Sequence, residues 1–155
     1  MENSLKIKFI LVGIILAFIG ISACVGSPAG RSITDIQDVD WKLAEVRSSS
    51  GVIRIDRTRP GTDGIYTIRF AENRISGSAA PNRYTAPYTS REGNILSIGV
   101  AASTMMAPLF ENENLREHVY FDYLSRVNRW IMQNGNLHLY TSAENGTQVI
   151  LIFVR

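Results

Sequence analysis

The stretch from Arg129 to Val154, RWIMQNGNLHLYTSAENGTQVILIFV, decides the fold class. Arg129 to Gln133, Leu137 to Thr141 and Gln148 to Val154 have strand character, and the breaks between them are Asn134-Gly135-Asn136 and Asn145-Gly146. Asn-Gly supplies the positive φ values that a tight hairpin turn requires, so three consecutive antiparallel strands are expected. The last strand is apolar throughout Val149-Ile150-Leu151-Ile152-Phe153-Val154. Such a strand belongs in the middle of a sheet, or on a barrel wall packed against a helix.

Working upstream, the period changes once. From about Glu113 to Val127 apolar residues fall at Leu115, Val119, Tyr123, Leu124 and Val127, which predicts the chain's one amphipathic helix. Before it, short alternating stretches return: Trp41 to Val46, Gly51 to Asp56, Ile65 to Phe70, Arg74 to Ser78, Arg83 to Tyr88 and Ile95 to Ile98. Tyr66, Ile68 and Phe70 share one face, which is expected to be buried, while Asn73, Pro81 and Gly93-Asn94 mark turns. The expected class is mainly β with some α: a small curved antiparallel sheet or cracked β-barrel carrying one helix.

The N-terminus has a different character. Lys6 and Lys8 precede an apolar run from Phe9 to Ile21, followed by Ser22, Ala23 and the only cysteine, Cys24. This is the layout of a secretory signal peptide, and Ile21-Ser22-Ala23-Cys24 resembles the bacterial lipobox. That resemblance implies cleavage between Ala23 and Cys24 and lipid on the Cys24 thiol, where two or three acyl chains give stable anchoring. A plain signal peptide or an uncleaved membrane helix are the competing readings; the run is short for a span of about 20 residues. The expected division is a signal peptide over 1–23, a flexible tether over 24–37 containing Gly26, Ser27, Pro28 and Gly30, and one domain over 38–155. Val25 is not an aspartate of the kind that retains lipoproteins in the inner membrane of enteric bacteria, so an outer membrane is favoured where one exists.

A net charge of +2 implies no nucleic-acid partner. Arg54, Arg57 and Arg59, interrupted by Asp56 and Asp63, read as a solvated strand end and turn rather than an anion site. With one cysteine, no intramolecular disulfide can form. Neither His118 nor His138 has neighbours at ligand spacing, so no metal is expected. Glu111, Glu113 and Glu117 read as complements of a helix N-terminus. Met105, Met106, Tyr84 and Trp130 are expected in the core rather than in a ligand pocket. No nucleophile elbow, P-loop or zinc-protease motif occurs, so no catalytic residue and no cofactor are assigned.

Gly77-Ser78-Ala79-Ala80-Pro81-Asn82-Arg83-Tyr84 followed by Tyr88, and Ser103-Thr104-Met105-Met106-Ala107, resemble the two signature motifs of the META (HslJ-type) domain family. Trp41-Lys42-Leu43, Tyr123 to Val127 leading to Trp130, and Leu137-His138-Leu139 are similar to its other conserved stretches, in the same order. The resemblance implies structural roles for Trp41, Gly77, Asn82, Tyr84, Thr104, Met106 and Ala107, with Asn82 and Thr104 fixing turns by bonding nearby backbone. Where many members carry cysteine, this chain has Pro81 and Pro108, and Ala80 replaces a glycine. The paired change suggests that the two positions lie close in space, with proline stiffening in place of a covalent link. The resemblance implies an envelope or secreted domain concerned with stress or antibiotic tolerance; with the lipobox and the missing catalytic set, the expectation is a non-enzymatic, lipid-anchored, monomeric envelope domain. Its partners would be the membrane, through the anchor, and an envelope protein or hydrophobic ligand. A structural stabiliser without a ligand and an uncharacterised hydrolase are the alternatives.

Overall fold

The computed structural model describes residues 32–58, 62–79, 81–107 and 115–155. The expected signal peptide with Ala23 and Cys24, the first part of the tether, Arg59, Ala80, Pro108, Glu111 and Glu113 lie outside these residues. Among the described residues ten strands are formed: β1 Trp41–Ser48, β2 Gly51–Arg54, β3 Thr67–Ala71, β4 Arg74–Ala79, β5 Asn82–Arg91, β6 Ile95–Ile98, β7 Ala102–Ser103, β8 Arg129–Gln133, β9 Asn136–Ser142 and β10 Gln148–Val154. A 3-10 turn spans Ile33–Asp35, and one helix, α1, spans Glu117–Ser125.

Eight strands close into an antiparallel ring in the order β1-β10-β9-β8-β6-β5-β4-β3 and back to β1, with β2 paired to β1 and β7 to β5. The final strand lies between two partners, as its two apolar faces require: β10 pairs β9 from Gln148 to Phe153 and β1 from Val149 to Val154. A register shift between Leu43 and Glu45 marks a bulge that bends β1, and β1 meets β3 at Trp41 and Lys42 and β2 from Glu45 on. The seam between β6 and β8 is thin, with Ile95 opposite Arg129 and flanking bonds from Leu96 N–H to Asn128 O and from Trp130 N–H to Asn94 O.

The hairpins follow the turn chemistry. Asn134 and Gly135 have φ of 52° and 80°, and Gln133 faces Asn136 across a two-residue turn. Glu72 and Asn73 make an equivalent turn at φ of 45° and 62° without any glycine. Helix α1 is shorter than the expected 113–127. Its buried residues are Tyr120 and Leu124, so the deepest side chain of the helix is one that the expected stripe omitted. The helix packs chiefly against β6 and β9 rather than against β10.

An eight-stranded ring has an interior that side chains just fill. Here Trp41, Tyr66, Phe70, Tyr120, Trp130 and Phe153 are all at most 1% exposed and belong to one hydrophobic core. Packing begins ahead of the expected domain start, because Ile36 is fully buried and its carbonyl accepts from Trp41 Nε1 at 3.0 Å. Residues 33–37 are therefore part of the body rather than tether, with Gln37 bridging to Phe70 and donating from Nε2 to the Tyr88 hydroxyl at 2.8 Å.

The expected solvated role of the arginine cluster holds for Arg54, whose side chain is 77% exposed beside Glu45. It fails for Arg57. That guanidinium donates to the carbonyls of Leu43 at 2.7 Å, Asp63 at 2.8 Å, Ile65 at 3.1 Å and Thr62 at 3.3 Å, tying the loop after β2 onto β1. A planar fork with five donors can serve several carbonyls at once, which the sequence pattern alone does not disclose.

Candidate functional site

The two signature stretches meet in space. Asn82, at the start of β5 and 3% exposed, is the joint. Its Oδ1 accepts from the Thr104 hydroxyl at 2.8 Å and from Met106 N–H at 2.7 Å. Its Nδ2 donates to Met106 O at 3.2 Å and to Glu117 Oε2 at 2.9 Å. Thr104 adds two links to Arg83: its Oγ1 accepts from Arg83 N–H at 3.2 Å, and its own N–H donates to Arg83 O at 3.0 Å. One buried amide thus holds β5, the segment after β7 and the start of α1 together. The role is tertiary, in place of the expected local turn-fixing.

Beneath this latch lies an aromatic cluster. The Tyr84 hydroxyl donates to Thr67 O at 2.8 Å and sits 3.0 Å from the Tyr120 hydroxyl. Tyr120 packs edge-on against Tyr66 at 5.2 Å and Tyr84 at 5.9 Å, while the Tyr66 hydroxyl donates to Leu115 O. Burial pushes both the Tyr84 and Tyr120 phenols above their usual range, with the neighbouring tyrosine raising Tyr84 further. They remain protonated donors, which suits an internal brace and not a general base. Gly77 lies against the same carbonyl: a Cβ there would stand 2.0 Å from Thr67 O and 2.9 Å from Tyr84 Cε1.

The sequence-expected residues therefore divide into groups. Gly77, Asn82, Tyr84, Thr104 and Met106 converge, whereas Trp41 sits apart on β1, opposite Ile68. Ala107 is exposed at the end of the described segment. Tyr84 and Trp130 are core, at 4% and 1% exposure, but the expectation for the methionines is overturned: Met105 is 99% exposed and Met106 60%. The Met106 main chain is fixed by its two bonds to Asn82, while both methionine side chains extend outward. Thr67, Tyr120 and Glu117 were missed as members of this cluster. Thr67 acts largely through its carbonyl, which has no sequence signal, while Tyr120 stands four residues before Leu124 on one helix face.

Elsewhere, no group of three or more His, Cys, Asp or Glu among the described residues is placed to hold a metal ion. A cleft of about 520 Å³ opens beside Ser32 and Ile33, lined by Ser90 to Asn94 and Trp130. His118 is exposed. His138 lies on the outer face of β9, flanked by Ile131 and Ile152 across the ladder, and is only 9% exposed. Burial, and then the charge of Arg47, hold its imidazole below the usual value. The unfolded chain therefore takes up this proton first as pH falls through about 6.5, and stability falls with it. The melting midpoint is expected to rise as pH increases toward about 6.5 and to level off above it, and His138→Gln should flatten that rise; an unchanged slope in the variant would contradict the assignment.

The META domain family model matches residues 34–152. A solved structure titled as the NMR structure of the protein from Burkholderia xenovorans is similar with a TM-score of 0.58 at 21% identity, covering 79% of this chain and 84% of that one. At that identity the likeness concerns the fold alone. No curated protein matches the chain.

Proposed function

This chain belongs to the META domain family, and from that premise we propose that it is a lipid-anchored domain of the cell envelope that performs no catalysis and acts by binding a protein or hydrophobic partner, in envelope stress or antibiotic tolerance. The observation that carries the reading is the stretch from Val100 to Met106, which contains β7. Val100, Met105 and Met106 are 88%, 99% and 60% exposed, and the main chain of Met106 is pinned at both its N–H and its carbonyl by Asn82. A backbone already fixed lowers the ordering cost of docking to that of the side chains alone, and flexible methionine adapts to partner surfaces of varied shape. Beneath them the Asn82 amide and the Thr104 hydroxyl are engaged in bonds within the latch, which favours a scaffold over a reaction centre, while Glu117 Oε1 is buried without a partner among the described residues.

Anchoring is assigned to Cys24, after cleavage behind Ala23, on the lipobox-like sequence. The expected result for Cys24→Ser is loss of incorporation of a palmitate analogue and release from the membrane fraction, with the melting midpoint of the domain unchanged. Equal labelling of variant and parent would contradict the anchor. The second reading, a structural stabiliser of the envelope without a ligand, is favoured by one observation: the barrel interior is occupied by its own side chains. A deletion strain with unchanged envelope permeability would count against it.

A further inference from the structure

We propose that Met105 and Met106 are the oxidation site of this domain, converted to sulfoxides by two-electron oxidants of the hydrogen peroxide or hypochlorous acid class while the fold stays intact. Susceptibility of a thioether follows its access to the oxidant. Met105 is 99% and Met106 60% exposed, whereas Met132 on β8 is partly buried and packs against the core. With peroxide, a sulfur lone pair attacks one oxygen, the S–O bond forms as the O–O bond breaks, and the departing hydroxide takes up the proton to leave as water. Sulfur loses two electrons and peroxide gains them.

The surroundings confine the change to the surface. Both backbone groups of Met106 are bonded to Asn82, and Thr104 is bonded to Arg83, so the segment does not depend on its methionine side chains for its position. A sulfoxide replaces an apolar, flexible thioether with a strong hydrogen-bond acceptor facing water. Oxidation therefore turns the outward apolar segment polar without opening the core. If this segment is the partner surface, a point that rests on the binding reading above, oxidant in the envelope would weaken binding.

The test uses the full-length chain in detergent, treated with limiting hydrogen peroxide and digested with trypsin. Cleavage after Arg91 and Arg116 isolates Met105 and Met106 in one peptide, and cleavage after Arg129 places Met132 in another. Oxygen addition is expected at least about tenfold faster in the first peptide. Retention of the intact protein on a phenyl matrix should fall while its melting midpoint holds. Met105→Leu with Met106→Leu, apolar but resistant to oxidation, should keep its retention through the same treatment. Equal rates for Met132, a falling melting midpoint in the oxidised parent, or equal loss of retention in the leucine variant would each overturn the proposal. Failure of the binding reading shows separately: a photo-crosslinking side chain at position 105 would then give no partner adduct in protein never exposed to oxidant.

Discussion

Gly77→Ala is expected to destabilise the domain by about 3–5 kcal/mol, a large share of the roughly 5–15 kcal/mol that holds a domain of this size together. The cause is distance. The added methyl would stand 2.0 Å from Thr67 O and 2.8 Å from the carbon of that carbonyl, with Tyr84 Cε1 at 2.9 Å. The obstructing atoms have little freedom to yield, because Thr67 O accepts from Tyr84 at 2.8 Å and Thr67 Oγ1 accepts from Ser78 N–H at 3.0 Å. Relieving the overlap would separate β3 from β4 and break the phenol brace. In urea titration the midpoint should fall sharply at constant slope. Gly64→Ala, where nothing lies within 4 Å, is the matched control and should stay within about 0.5 kcal/mol. A Gly77→Ala protein as stable as its parent would contradict the packing described here.

Asn82→Ala is the second large effect, expected at about 2–4 kcal/mol. All four hydrogen-bonding positions of the amide are used, so truncation strands Met106 N–H and O, the Thr104 hydroxyl and Glu117 Oε2 together. A buried group left without a partner costs more than the bond it formerly made contributed. Thr104→Val removes two bonds, the one to Asn82 Oδ1 and the one from Arg83 N–H, and should cost about 1–2 kcal/mol. The two variants should be non-additive, since they share a partner. Amide exchange at Met106 offers a local reading: its N–H, held by Asn82 Oδ1 at 2.7 Å, should exchange freely in Asn82→Ala. Retained protection there would show that the latch is not what pins the segment.

How much of this was legible in the sequence depended on the range of the interaction. The hairpins of β8, β9 and β10 were readable because Asn134-Gly135 acts on its immediate neighbours, and the central place of β10 followed from its two apolar faces. The bounds of α1 were overestimated because Leu115 and Val127, though buried, flank the helix instead of belonging to it. At Asn82 the sequence marks the position and suggests a local role, whereas its partners lie 22 to 35 residues away. For Gly77 the motif marked the position, but the reason is a carbonyl from another strand. Met105 and Met106 show the opposite error. Hydrophobic character suggests burial, while the long-range bonds that fix the Met106 main chain at the surface leave no mark in composition.

The central claim is that the signature residues build a closed, self-filled barrel and that binding belongs to the apolar segment they hold on its surface. Photo-crosslinking in intact cells tests it most directly, with the reactive side chain placed at position 105 or, for comparison, at position 52, where Val52 is 46% exposed on β2. The account predicts a discrete adduct from 105, none from 52, and loss of the 105 adduct in Asn82→Ala. No adduct from 105, or the same adducts from both positions, would contradict it.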